Sequence, residues 1–118
     1  MKAFVYKAKI VRVVDGDTVD CDLDLGFSTI LKKKRIRLSG INAPESRTRN
    51  LDEKKLGLAA KARLGVLCGD EVILDSEGVG KFGRILGVLY TLDGENINEK
   101  LVAEGHARYY DGGKRTGW

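Results

Sequence analysis

From Thr18 to Leu25 the chain alternates: Val19, Cys21, Leu23 and Leu25 occupy one phase, Asp20, Asp22 and Asp24 the other. A period of two is the signature of a half-buried β-strand, because a helix would scatter both sets around its circumference. Residues 5–14 are rich in Val and Ile, and within 8–13 Ala8 and Ile10 fall in phase. The turn signal Asp15-Gly16-Asp17 separates the two runs, so together they predict a hairpin. Gly26 permits a second turn, and residues 28–39 read as a long third strand with Ile30, Ile36 and Leu38 on one face. Arg35 and Arg37 then share the opposite face.

Beyond this meander the signals change. Gly40 to Pro44 breaks the third strand, and 45–52 is a polar loop. Over 53–68, Leu56, Ala60, Leu64 and Leu67 form a helical stripe that Gly69 ends. Residues 71–76 and 84–91 read as fourth and fifth strands, separated by Gly78, Gly80 and Gly83. Asp93-Gly94 turns the chain, and Asn98 caps a short helix that runs to Glu104 and stops at Gly105. Three strands, a helix, two strands and a short helix is the order of a five-stranded OB barrel. The fold class is therefore mainly β, with one helix between strands three and four and a short helix after strand five. With 118 residues the chain is expected to form one domain over 1–111, followed by a Gly-rich basic tail at 112–118.

A composition of 42% hydrophobic and 32% charged residues is that of a globular chain, not a disordered one. No run approaches the ~18 apolar residues of a membrane helix. Lys2, Lys7, Lys9 and Arg12 interrupt any signal-peptide apolar region. The expected location is the cytoplasm if the numbering starts at the true N-terminus, or outside the cell if a signal was removed. A monomer is expected. Cys21 and Cys68 lie in apolar patterns and read as small core residues, and with His106 as the sole histidine there is no zinc site. Asp20, Asp22 and Asp24 do not start a calcium loop: its Gly and Glu positions are occupied by Leu25 and Leu31. They read as the wet face of a strand.

Charge is unevenly spread. Residues 15–24 hold five aspartates, and 32–37 hold Lys32, Lys33, Lys34, Arg35 and Arg37. With a net charge of +4 and a pI near 9.1, the basic block suits either a polyanionic partner or a solvated face. A more specific set is spread along the chain: Asp17 at the hairpin turn, Arg37 at the end of strand three, Asn42 and Glu45 in the break, and Arg84 opening strand five. In a barrel such strand ends can converge on one rim. Two guanidinium forks there would suit a phosphodiester and its growing transition-state charge. A divalent cation held by carboxylate and carbonyl oxygens would polarise the phosphoryl group. A free carboxylate could take a proton from water.

The runs Val14-Asp15-Gly16-Asp17-Thr18-Val19, Arg37-Leu38-Ser39-Gly40-Ile41-Asn42-Ala43-Pro44-Glu45 and Phe82-Gly83-Arg84 resemble the three active-site motifs of the staphylococcal nuclease (thermonuclease) family. The run Ile97 to Gly105 is similar to that family's second helix, and the likeness extends in order over roughly residues 8–110. The sequence stops at Trp118, where the best-known member has a further C-terminal helix. The resemblance implies a calcium-dependent OB-fold endonuclease of broad specificity, acting on DNA and RNA and leaving 3′-phosphate ends. It implies Asp17 and Asn42 as side-chain ligands of one Ca2+ ion, with the backbone carbonyl of Ala43 as another. Asn42 stands where the family carries an aspartate, so calcium should be held weakly. By the same likeness Glu45 is the catalytic carboxylate, and Arg37 and Arg84 clamp the phosphate. Lys81 lies near a terminal phosphate, and Phe82 stands where the best-known member has Tyr. Tyr109 and Tyr110 are candidates for stacking on bases or for packing on the barrel. Lys32, Lys33 and Lys34 are candidates for non-specific phosphate contacts. The alternatives are a nucleic-acid-binding OB module with weak or no catalysis, and a protein-interaction barrel.

Overall fold

The computed structural model describes residues 3–110. Its elements run β1 (Val5–Asp15), β2 (Thr18–Asp24), β3 (Ile30–Leu38), β4 (Ile41–Asn42), α1 (Leu51–Cys68), β5 (Glu71–Val79), β6 (Ile85–Tyr90), α2 (Ile97–Ala103) and β7 (Arg108–Tyr109). A single 3-10 turn, Lys81–Gly83, separates β5 from β6. Strands β1, β2, β3, β6 and β5 close a barrel in that order. Every pair in it is antiparallel except β3–β6, which is parallel. The expected five-stranded barrel with two helices is thus what the chain forms. The expected tail at 112–118 lies outside the described residues.

Register shifts in β1 and β3 decide where the side chains of these strands point. β1 carries an extra residue against β2 between Ile10 and Arg12, and another between Val13 and Asp15. The first shift explains why Ala8 and Ile10 face the core while Arg12, next in the expected phase, faces solvent. The second leaves a two-residue turn, Gly16-Asp17, between the paired Asp15 and Thr18. The third lies in β3, where Lys34 pairs with Cys21 but Leu31 with Leu23. Lys33 takes a positive φ of 52° there, and its N–H donates to Asp22 Oδ1 at 2.9 Å. The expected phase of Ile30 with Ile36 and Leu38 therefore fails: Ile30 is exposed, while Ile36 and Leu38 are fully buried.

Both helices cover the barrel, and both differ from expectation in detail. α1 starts two residues earlier than predicted, because Asn50 Oδ1 accepts from the N–H groups of Asp52 and Glu53, both at 3.1 Å. Its buried stripe is Gly57, Ala60, Leu64 and Cys68, whereas Leu56 is 50% exposed. The rotation has a steric cause. A Cβ on Gly57 would meet the carbonyl oxygen of Glu45 at 2.3 Å and the nitrogen of Ser46 at 2.6 Å, so only glycine lets the helix approach that backbone. In α2 the cap is Asn96, whose side chain accepts from the Glu99 N–H at 3.0 Å. Asn98 does not cap: it is 3% exposed and lies inside the first turn. Its Oδ1 accepts from Leu89 N–H at 3.1 Å, and its Nδ2 donates to the carbonyls of Ser39 at 2.9 Å and Gly87 at 3.3 Å. One amide thereby ties α2 to β6 and to the end of β3.

The core runs from the barrel interior (Val19, Ile36, Leu38, Leu74, Leu89) to the inner faces of α1 and α2. Cys21 and Cys68 are free thiols within it, as expected, and burial pushes the pKa of each up to about 12. Among the described residues no helix is long and apolar enough to cross a membrane.

Candidate functional site

A cleft of about 180 Å³ opens at one rim of the barrel, lined by Asp15, Asp17, Thr18, Arg37, Asn42, Ala43, Glu45, Arg47 and Arg84. That is smaller than the ~300 Å³ and above of pockets that engulf a whole small molecule. It suits one group of a larger ligand.

The β1–β2 turn supplies Asp17, and the Asp17 carbonyl accepts from Leu38 N–H at 2.8 Å, which pins the turn to the end of β3. Its buried carboxylate accepts from Thr18 Oγ1 at 2.9 Å and from Ala43 N–H at 2.9 Å. Arg37 comes from β3, where it pairs with Thr18 on one side and Leu86 on the other. Its Nη2 lies 3.5 Å from Asp17 Oδ2 and donates to Asn42 Oδ1 at 3.4 Å, while Nη1 donates to the Leu38 carbonyl at 2.7 Å. Arg37 is thus oriented by three neighbours before any ligand arrives. Asn42 is held by the β4–β7 pair, opposite Arg108.

The loop after β4 carries Glu45. Its N–H donates to Glu53 Oε2 of α1 at 3.0 Å. The next residue, Ser46, is 4% exposed and donates both its N–H and its hydroxyl to Asp15 Oδ1. With Gly57 pressed against the same peptide, the loop is tied to the β1–β2 hairpin and to α1. Gly16 closes the contact from below: a Cβ there would lie 2.6 Å from Ala60 Cβ and 3.0 Å from Ala43 Cβ.

Arg84 enters from the start of β6, the strand paired with β3, just after the Lys81–Gly83 turn, and its carbonyl accepts from Gly80 N–H at 2.7 Å. Its Nε is buried and has no hydrogen-bond partner among the described residues. Leaving such a donor unmade costs about 1–3 kcal/mol, more when the group is charged. A donor left so in a cleft points to an incoming acceptor.

The fold therefore brings Asp17, Arg37, Asn42, Ala43, Glu45 and Arg84, distant in sequence, to one cleft. Lys32, Lys33, Lys34, Tyr109 and Tyr110 do not line it. Lys32 pairs with Asp22 at 3.5 Å on the outer face of the barrel. Tyr109 is exposed on β7, and Tyr110 N–H donates to the Gly40 carbonyl at 2.8 Å. The Lys81 side chain lies outside the described residues. Phe82 is 93% exposed at a φ of 63°. Sequence reasoning missed Asp15, Thr18 and Arg47. Asp15 and Thr18 carried a signal, because they flank Asp17 across a two-residue turn. Arg47 carried one too, as a guanidinium two residues beyond Glu45 in the same polar loop.

Asp15, Asp17 and Glu45 balance Arg37, Arg47 and Arg84, so the formal charge of the lining is zero. Among the described residues no three His, Cys, Asp or Glu side chains converge as a metal-holding group. A cation here would combine the Asp17 carboxylate with the Asn42 amide oxygen, a backbone carbonyl such as that of Ala43, and water. Such an all-oxygen set fits a hard divalent cation, and its low charge fits weak binding.

The chain is similar to several known proteins. The family model described as staphylococcal nuclease homologue matches residues 35–116, which include Arg37, Asn42, Glu45 and Arg84. Micrococcal nuclease of Shigella flexneri is 36% identical over 123 residues, covering 94% of this chain and 63% of that protein. Endonuclease YhcR of Bacillus subtilis (strain 168) is 32% identical over 114 residues, 89% of this chain and 9% of that protein. Thermonuclease of Staphylococcus hyicus is 33% identical over 103 residues, 85% of this chain and 57% of that protein. The chain spans less than two thirds of the length of each.

Proposed function

Since the chain belongs to the staphylococcal nuclease homologue family, we propose that its rim cleft hydrolyses phosphodiester bonds within DNA and RNA, with Ca2+ as cofactor and 3′-phosphate ends as product. One observation carries this reading: the buried, unpartnered Nε of Arg84 in a cleft it shares with Arg37 and Glu45. Arg84 donates to a phosphate oxygen, and Arg37, already oriented by Asp17 and Asn42, takes another. Both donors gain strength as charge builds on the phosphorane-like transition state. Glu45, on a loop tied down at Ser46, orients the attacking water and accepts its proton as the water oxygen bonds to phosphorus. The P–O5′ bond breaks, leaving the 3′-phosphate, and the departing 5′-oxygen takes a proton from solvent water. Asp17, Asn42 and the Ala43 carbonyl would hold the cation. When bound, it would supply Lewis-acid polarisation of the phosphoryl oxygen and add positive charge to a lining whose formal charge is zero. The relatives named as nucleases support this assignment.

The test is digestion of plasmid and single-stranded DNA and of RNA in calcium, in magnesium and in chelator. Internal cuts with calcium, loss of cutting with chelator, and 3′-phosphorylated ends are expected. Intact substrates in calcium would reduce the cleft to a nucleic-acid-binding site. The neutral Asn42 favours that second reading, since it leaves Asp17 as the one buried carboxylate of the ligand set.

A further inference from the structure

Arg47 is the third guanidinium of the cleft, and its situation differs from the other two. Arg37 is held by Asp17, Asn42 and Leu38, and Arg84 is partly sunk into the barrel. Arg47 is exposed, and among the described residues it makes no hydrogen bond or ion pair. Five other surface cations have partners within the fold, Arg12 and Arg35 at Asp20, Lys32 at Asp22, Arg63 at Glu104 and Lys100 at Glu95. What separates Arg47 from exposed cations such as Arg49 and Lys54 is its place on the cleft lining.

The backbone that carries Arg47 is nonetheless held. Ser46 is anchored twice to Asp15, so its neighbours Glu45 and Arg47 both fall on the cleft lining while Ser46 is buried. A guanidinium with free donors and a fixed base, beside a cleft with room for one group of a ligand, suits the next group along.

We propose that Arg47 binds the phosphate adjacent to the one held by Arg37 and Arg84, and so selects substrates with at least two consecutive phosphodiesters over isolated ones. This rests on the phosphodiesterase reading of the same cleft. Arg37 and Arg84 lie lower in the cleft and hold the scissile group. Arg47, at the exposed rim, meets the polymer one nucleotide further on. It touches no reacting atom and acts through affinity and register.

The experiment compares the unsubstituted protein with Arg47→Ala and Arg47→Lys on two substrates in calcium: a short single-stranded oligonucleotide and a dinucleoside monophosphate with one phosphodiester. On the oligonucleotide, Arg47→Ala should raise KM by about tenfold with kcat unchanged, the scale of removing one charge-assisted hydrogen bond. On the dinucleoside monophosphate both constants should stay the same, and Arg47→Lys should restore most of the oligonucleotide KM. In equilibrium binding by fluorescence anisotropy, the slope of log affinity against log salt should shrink by about 0.7. Equal losses on both substrates would place Arg47 at the scissile phosphate and overturn the proposal, as would no loss on either. If the unsubstituted protein cuts neither substrate, the phosphodiesterase reading fails by itself. The anisotropy arm then still decides whether Arg47 meets a phosphate, and an unchanged affinity and slope would overturn that too.

Discussion

The outer face of β2–β3 and the rim cleft are built from the same residue types, and they use them in opposite ways. On the outer face Arg35 Nε and Nη2 donate to the two carboxylate oxygens of Asp20 at 2.9 and 3.2 Å. Arg12 adds a third charge at 3.7 Å, and Lys32 pairs with Asp22. Two aspartates of the acidic block, Asp20 and Asp22, are thus neutralised there by Arg35 and Lys32 of the basic block across one pair of strands. At the cleft, two residues further along β3, Arg37 joins Asp17 and Asn42, but Arg84 Nε is left without a partner among the described residues. Charge density does not mark the site. The site lies where one buried donor, Arg84 Nε, lacks a partner among the described residues.

The largest test of this contrast is Arg84→Ala. Removing one transition-state donor should lower kcat by roughly two orders of magnitude or more, read from initial rates on single-stranded DNA. A loss no larger than that of an outer-face variant would erase the distinction between the two regions. Next is Asn42→Asp, which adds an anionic oxygen to the cleft. Calcium should bind on the order of tenfold more tightly, measured by calorimetric titration. An unchanged Kd would leave Asn42 with only its structural tasks, the bond to Arg37 and the β4–β7 pair.

The outer face should respond less. Replacing Lys32, Lys33 and Lys34 together by Ala should leave kcat unchanged. The salt dependence of nucleic-acid binding should flatten by at most about one unit of slope for each lysine that had neutralised a phosphate. A fall in kcat would mean that this face touches the reacting phosphate. The smallest effect belongs to Asp22, whose carboxyl is held below its ordinary value chiefly by the Lys33 N–H, with Lys32 adding to it. A carboxyl depressed in the folded state stabilises the fold above its ordinary value of 3.8, and that contribution fades as pH falls through the lower, folded value. Unfolding curves of Asp22→Asn and the unsubstituted protein should therefore differ slightly near neutral pH and merge in acid. A gap that persists in acid would assign the difference to packing.

How much of the molecule is legible in its sequence varies by element. The β1–β2–β3 meander and both helices can be read because hydrophobic phase and turn residues are local properties. Asn98 misleads because two asparagines stand one residue apart. The Asn96-to-Glu99 spacing of a capping box is the available discriminator. Leu56 misleads because a leucine outranks a glycine on any hydropathy argument, whereas the helix turns Gly57 inward for clearance from Glu45 and Ser46. Of the candidate site residues, those in the motif runs converge, and the lysine block and the two tyrosines do not line the cleft. Convergence depends on closure of the barrel and on which face each strand presents after its bulges.

The sequence alone determined the barrel, the helices that cover it, and the residue types that meet at its rim, because period-two patterning and turn chemistry act over a few residues. Tertiary structure alone decided which charges are spent on each other. The β2–β3 register sets Asp20 opposite Arg35, and the ties from Ser46 to Asp15 and from Glu45 to Glu53 bring the Glu45 loop onto the hairpin. Such pairings join residues 8 to 31 positions apart. They depend on a one-residue shift in a strand or the space left by a missing Cβ, and neither leaves a periodic trace in the chain.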